Sequence, residues 1–351
     1  MRSRVPSLRA ASTAVFRLRG RNGEGMVATM LILLAIVVGI ANGQFWSLAT
    51  LFSIFRNSYG EVLFALGVLI VLLMGGVDVS FDSIGIFAGY SVVLLATHGV
   101  FDGGVAIAYM MAAGIGLVLG AVNASAIVGL RLPVLIVTLG TRGLFAGILL
   151  SFIGSNYINM LPGGLAKFYQ FNLVRVSAHV GGQSVGLHML VIPVTIICLL
   201  VWMMLRHSMF GRGIYAIGGD EEAARRAGLP VVRVKFLAFC LAGALAGLAG
   251  MTHVALIGFA NPYDLVGNEL NVIAAVVLGG ASIFGGRGSV GGTVLGVLLI
   301  SLINYSLILL GIPSAWNAVA VGVLILIGVG AQVTGRRRAR AMVMRTIEET
   351  T

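Results

Sequence analysis

The chain has 351 residues, 58% of them hydrophobic and only 10% charged, with a net charge of +11. A soluble domain of this length cannot carry so little charge and keep a wettable surface, so composition excludes one and leaves a polytopic membrane protein. The basic excess reads as membrane topology; nucleic-acid binding is disfavoured because no basic residues interleave with exposed aromatics.

Residues 1–25 carry Arg2, Arg4, Arg9, Arg17, Arg19 and Arg21 against Glu24 alone. The apolar run 26–41 lacks a clear cleavage site and many similar runs follow it. It therefore reads as an uncleaved first span behind a basic tail, with a transit peptide as the alternative. Residues 44–59, with Trp46, Arg56 and Tyr59, read as interfacial or re-entrant. Further spans are expected at 61–75, 82–97, 103–129, 134–153, 185–205, 236–257, 269–284, 289–310 and 313–330. The run 269–284 is short for about 30 Å of hydrocarbon. The longest polar connection is 154–184, and a second basic tail occupies 331–351.

About ten transmembrane helices put both termini on one side. If that side is the cytoplasm, it holds 19 of the 23 Lys and Arg residues, a strong positive-inside bias. The expected fold is thus all-α, with a transmembrane domain at 26–330 between two cytoplasmic tails. Gly243, Gly247 and Gly250, then Gly288, Gly291, Gly292 and Gly296, favour close helix packing in lipid. Leu73-Met74-Gly75-Gly76-Val77 and Val277-Leu278-Gly279-Gly280-Ala281 form a short internal echo.

Residues 206–235 form a polar island that holds six basic and three acidic residues. Its centre reads as a short, terminated helix. Asp220 can N-cap it, Glu221 and Glu222 suit the positive end of its dipole, and Arg225 and Arg226 suit the negative end. Ala223, Ala224 and Ala227 are good helix formers with little bulk. Gly228 suits a left-handed C′ position, and Pro230 stops the helix. An idle capped loop and a docking element are both compatible with this pattern.

No Gly-Lys-Ser or Gly-Lys-Thr occurs, so the chain has no phosphate-cradling loop of its own. Paired histidines at metal spacing and a Gly-x-Ser-x-Gly elbow are also absent. Cys198 and Cys240 lie in apolar runs and read as buried hydrophobes. The acids Glu61, Asp78, Asp82, Asp264 and Glu269 are expected at span ends, with only Arg142 near mid-span. Arg142 reads either as a snorkelling or helix-pairing arginine or as a polar wall of a conduit with Thr138 and Thr141. Asp78, Ser80, Asp82 and Ser83 read either as caps of the next span or as a gate whose acid pairs with Arg131 or Arg287. Asn123, inside a span, should bond a neighbouring helix or a substrate.

Four ordered motifs then carry a resemblance. Gly75-Gly76-Val77-Asp78-Val79-Ser80 is one, and Leu132-Pro133 with Thr138-Leu139-Gly140-Thr141 is another. The third runs from Gly211-Arg212 through Ala216-Ile217-Gly218-Gly219-Asp220-Glu221-Glu222-Ala223-Ala224-Arg225 to Ala227-Gly228. The last is Ala274-Ala275-Val276-Val277-Leu278-Gly279-Gly280 with Gly285-Gly286-Arg287-Gly288-Ser289. Over about residues 45–330 the chain resembles permease subunits of bacterial monosaccharide ATP-binding-cassette importers, of the ribose, xylose, arabinose and galactoside type. One departure stands out: Phe81-Asp82-Ser83 replaces the family's Val-Gly-Ser.

The resemblance implies a type II importer fold in the bacterial inner membrane and a transport subunit that is no enzyme. Its partners would be an ATPase that binds ATP and Mg, a second identical or paralogous permease subunit, and a periplasmic sugar-binding protein. Gly219, Asp220, Glu221, Glu222, Ala223, Ala224 and Gly228 would form the ATPase-coupling segment, within a loop at 218–230. Asp78, Ser80, Asp82, Asn123, Thr138, Thr141, Arg142 and Arg287 are the candidates for gate or pathway. No metal or cofactor is expected on this chain. A nucleoside or branched-chain amino-acid permease of the same architecture, or an ion-driven carrier, is the alternative.

Overall fold

The computed structural model describes residues 24–330 except 103, 178–183, 265–266, 314, 324–325 and 327–329. The expected basic tails lie outside the described residues, apart from Glu24 and Gly25, which already belong to the first helix. In chain order the helices are α1 (Glu24–Ala41), α2 (Leu48–Leu73), α3 (Phe81–Thr97), α4 (Val105–Gly129), α5 (Val134–Ile148) and α6 (Gly163–Tyr169). After a β-hairpin come α7 (Val191–His207), α8 (Met209–Gly219), α9 (Glu221–Arg226), α10 (Val231–Ile257), α11 (Glu269–Leu278) and α12 (Val290–Leu309). Residues 316–323 are helical too.

Six helices among the described residues are long and apolar enough to cross a membrane, or seven if the bent pair α7–α8 is one span. Two shorter apolar helices, α3 and α11, accompany them. At 10 residues, α11 rises only about 15 Å, half the hydrocarbon thickness. The span expected at 269–284 is therefore a half-length helix followed by a run of turns.

Several boundaries differ from the sequence reading for local reasons. Residues 44–59 are not a separate interfacial segment. After a short 3-10 turn (Gly43–Trp46) they join 61–75 as α2, a single helix of 26 residues. Ser47 caps it by accepting from Thr50 N, and its polar groups find partners: Arg56 donates to Leu256 O and Ser58 to Phe55 O. The fold is not wholly α. β1 (Asn172–Ser177) and β2 (Ser184–His188) pair antiparallel, so the span expected from 185 begins at Val191. The expected span 236–257 starts at Val231 instead, because Pro230 is tolerated just ahead of the first helical turn.

The bundle is built around α2 and α10. In α2, 83% of the most apolar stretch is buried inside the protein, against 17% for α1. α10 packs along α4, α3 and α2 through a run of glycines. A Cβ at Gly243 or Gly247 would strike the backbone of α4 at Gly116 and Ala112, and one at Gly250 would strike α3 at Gly85. The α11–α12 pair repeats the device, with Gly279 against Gly292 and Gly296 against Ala275. In lipid such backbone proximity, rather than hydrophobicity, holds helices together.

Gly116→Ala should therefore lower the thermal unfolding midpoint of the detergent-solubilised protein, since overpacking of this kind costs about 1–3 kcal/mol. A methyl added at Gly114 would have nothing within 4 Å. Gly114→Ala, on the same helix, should leave the midpoint level or raise it through helix propensity. Equal shifts in the two variants would contradict the packing account.

Candidate functional site

Two polar assemblies stand out, one at a helical loop and one inside the bundle. The loop begins where the chain bends by 70° between α7 and α8. Ser208 makes that bend, accepting from Gly211 N at 2.9 Å and donating to Met204 O at 2.6 Å. α8 runs to Gly219, and Asp220 Oδ1 accepts from Ala223 N at 2.9 Å to start α9. Gly228, with φ +81°, closes it: Gly228 N donates to Arg225 O and Leu229 N to Ala224 O. The polar island expected to hold one short helix thus holds two, with the cap and stop where the sequence places them.

α9 has two distinct faces. Glu221 and Ala224 turn toward the protein; Ala224 is buried, and Glu221 receives Lys235 at 2.7 Å and Arg225 at 3.2 Å. Partial burial pushes the Glu221 carboxyl upward, but Lys235 and Arg225 outweigh it and hold it below the ordinary carboxylate range. Glu222, Ala223, Arg226 and Ala227 are exposed, with Arg226 on Glu222 at 3.3 Å.

α8 is fixed to two other segments through its last turn. A Cβ at Gly218 would collide with Leu73 O at the end of α2 and with Gly286 N. Gly286 N donates to Leu73 O at 2.9 Å, and Tyr215 OH donates to Gly288 O at 2.9 Å. Gly285 and Gly286 have φ values of +85° and +71°, which a side chain would strain. The loop 285–288, the end of α2 and the end of α8 therefore share one joint.

From this joint the extended segment 76–80 leads to α3, and a polar knot holds it. Asp78 Oδ1 accepts from Ser80 N at 2.8 Å and from Ser80 Oγ at 2.7 Å. Asn123 Nδ2 donates to Ser80 Oγ at 2.8 Å, and Thr138 Oγ1 donates to Val77 O at 3.3 Å. Asp78, Ser80, Asn123 and Thr138 are all buried. The side chain of Ser80 precedes α3 without capping it, because Asp78 and Asn123 already engage it. Asn123 thus binds a neighbouring segment.

Beyond the knot lies an ion network. Arg142 on α5 meets Asp82 on α3 at 3.5 Å and Glu269 on α11 at 2.8 Å. The side chains of Asp82 and Glu269 are only 3% and 12% exposed, so neither acid is at a wetted span end. The acid of this turn accordingly pairs with Arg142, not with Arg131 or Arg287. Arg287 is exposed on the 285–288 loop, and Thr141 donates only to Thr138 O, at 3.4 Å. Neither Arg287 nor Thr141 joins the network. Glu269, expected only as an acid at a span end, is not among the gate candidates read from the sequence; the one signal for its place is the short apolar run that follows it.

Residues 50–329 match a family model described as branched-chain amino acid transport system, permease component. The chain is similar to the Autoinducer 2 import system permease protein LsrC of Salmonella typhi, at 33% identity over 88% of this chain and 84% of that protein. It is also similar to the protein of the same name from Yersinia pseudotuberculosis, at 32% identity over the same shares. No solved structure matches the chain.

Arg142→Met strands two buried carboxylates and should lower stability by about 3–5 kcal/mol, the usual effect of removing one partner of a buried pair. Glu269→Gln leaves the Asp82–Arg142 pair and should cost less. Combining Arg142→Met with Asp82→Asn and Glu269→Gln should recover much of the loss. Thermal unfolding in detergent ranks the three, and the reverse order would refute a compensated ion network.

Proposed function

The chain belongs to the family of branched-chain amino acid transport system permease components, and from that premise we propose that it is the membrane-spanning subunit of an ATP-driven, binding-protein-dependent sugar importer. Its place is the bacterial inner membrane, with both termini in the cytoplasm and ten crossings, one of them made by the half-length α11 together with the chain that follows it. That orientation collects 19 of the 23 Lys and Arg residues on the cytoplasmic side. Two permease subunits, identical or paralogous, sit above two ATPase subunits that bind ATP and Mg, and a periplasmic binding protein delivers the sugar.

The observation that carries the coupling role is the two-faced α9, clamped inward by Glu221–Lys235 and presenting small and charged residues outward. Ala223 and Ala227 allow a close approach by the ATPase, while Glu222 and Arg226 orient it. Gly219, Asp220 and Gly228 shape the ends of the helix. Ala224 faces inward, so it positions α9 rather than touching the partner. A push on α9 passes through Gly218 to Leu73 and the 285–288 loop. From there it reaches the segments that carry Asp78, Asp82 and, across α11, Glu269. Rigid-body transmission of this kind shifts helices between two packings.

Monosaccharides are favoured as cargo by the four motifs. The relatives' autoinducer 2 belongs in the same substrate panel. A branched-chain amino acid is the second reading, supported by the family's description.

Liposomes that hold this chain with its cognate ATPase and binding protein should import sugar only with ATP, and the chain alone with an ion gradient should import none. Ala223→Trp should reduce uptake by about tenfold or more, a loss of the size seen at central interface positions, because its bulk blocks the close approach of the ATPase, without lowering the unfolding midpoint. Sugar uptake by the chain alone, or normal uptake by the Trp variant, would overturn the respective claims.

A further inference from the structure

The described residues enclose a polar cavity of about 200 Å³ that none of the motifs above includes. Its walls come from one flank of α2 (Arg56, Asn57, Glu61 and Phe64), from His253 near the end of α10, and from Asn268 just before α11. Each polar group but Asn57 has an anchor. Arg56 donates to Leu256 O at 3.0 Å and lies over the Tyr169 ring at 5.3 Å. Asn268 Nδ2 donates to Glu61 Oε1 at 3.2 Å, and His253 Nε2 lies 2.8 Å from Asp264 Oδ2. A guanidinium has five N–H donors and a carboxylate about four acceptor sites, so one anchoring bond leaves most of that capacity.

This chemistry defines a ligand class. Groups of both signs, Arg56 and Glu61, line the wall, so the lining does not single out an ion of one sign. Donors and acceptors line it together with the Phe64 ring, Leu256 and Ile257, a mixed wall that suits a small neutral solute with several hydroxyls. At about 30 Å³ per water the space equals roughly seven waters, enough for one small sugar. The larger cavity near α4 and α7, about 580 Å³, is lined almost wholly by apolar side chains. Its polar side chains, Tyr109 and Thr252, already bond each other at 3.3 Å, so it offers hydroxyls nothing.

Position adds a second argument. Asn268 binds Glu61 at the cavity, while its neighbour Glu269 binds Arg142 in the ion network. The cavity and the network thus meet across one peptide unit at the start of the half-length α11. Glu269 Oε2 is buried and meets no N–H or O–H donor of the protein, with the Asp82 carboxyl beside it, so the network holds more acceptor capacity than Arg142 fills.

We propose that the Arg56–Asn57–Glu61–His253–Asn268 cavity is a holding site for one neutral polyhydroxylated solute within this chain, and that the Arg142–Asp82–Glu269 network closes it from the segment 76–80. This rests on the importer reading above. Loading would satisfy the spare donors and acceptors of the wall. Displacement of α11, through the 285–288 joint, would part Glu269 from Arg142 and open the barrier.

The test uses the full importer in liposomes with radiolabelled ribose, arabinose, galactose and, separately, leucine. Glu61→Gln removes the charge but keeps the shape, and Asn57→Trp narrows the cavity from an exposed position without removing an anchoring bond. Both should lower sugar uptake about tenfold while ATP hydrolysis stimulated by the binding protein stays within twofold of wild type. Wild-type uptake in both variants overturns the holding site, as does a parallel loss of hydrolysis and uptake. A wild-type importer that carries leucine and no sugar overturns instead the importer's assigned cargo and, with it, the ligand class.

Discussion

The structure depends on how closely three backbones approach at Gly218. A side chain there would collide with Leu73 O and Gly286 N. Because it has none, Gly286 can donate to Leu73 O while the end of α8 lies against both. Gly75 joins the same joint, since a Cβ on Gly285 would stand 2.8 Å from Gly75 N. Two of the family-like motifs, Gly75-Gly76 and Gly285–Gly288, are thereby fastened to the third, which ends in α9. What the sequence presents as separate glycine-rich stretches is one mechanical part.

That part governs the electrostatics inside the bundle. Charged groups within a membrane are rare and costly unless paired. Here Arg142, Asp82 and Glu269 come from three different helices, and two of those helices are short. The shortness is what makes the meeting possible: α3 and α11 begin inside the bundle, so their first-turn acids project into it. Both follow or precede a glycine cap of the same geometry. At α2, Gly75 N donates to Leu72 O and Gly76 N to Val71 O; at α11, Gly280 N donates to Val277 O and Ala281 N to Val276 O. The internal echo therefore has a physical basis, although the left-handed residue is shifted by one position, to Gly75 in one copy and Gly280 in the other.

What the sequence made legible was local chemistry. Asp220, Gly228 and the charges of α9 determine a capped helix among their immediate neighbours, so its bounds could be read within a residue. The glycines of α10 announced tight packing because their spacing repeats on one face. What could not be read was long-range pairing. Nothing near Arg142 names Glu269 as its partner, and nothing near Asn123 names Ser80. The hairpin was hidden because the strand Ser184–His188 is continuous with the apolar run of α7, and hydropathy does not separate a strand from the helix that follows it. Residues 44–59 read as interfacial or re-entrant because they are less apolar and carry an aromatic toward each end, Trp46 and Tyr59, with Arg56 between. In α2 the Arg56 guanidinium is instead taken up by Leu256 O and the Tyr169 ring.

The departure at Phe81-Asp82-Ser83 now has a physical reading. Phe81 is buried against Phe64, with ring centroids 5.3 Å apart. That contact fixes the first turn of α3 and with it the direction of Asp82. A glycine at position 82 would leave Arg142 opposed by Glu269 alone, an evenly matched pair. With Asp82 present, two carboxylates face one guanidinium. Phe64 also lines the polar cavity. The substitution therefore acts on the network: it adds a second carboxylate to the hold on Arg142. A change at one turn of α3 in this way resets the charge balance inside the bundle without touching the joint at Gly218.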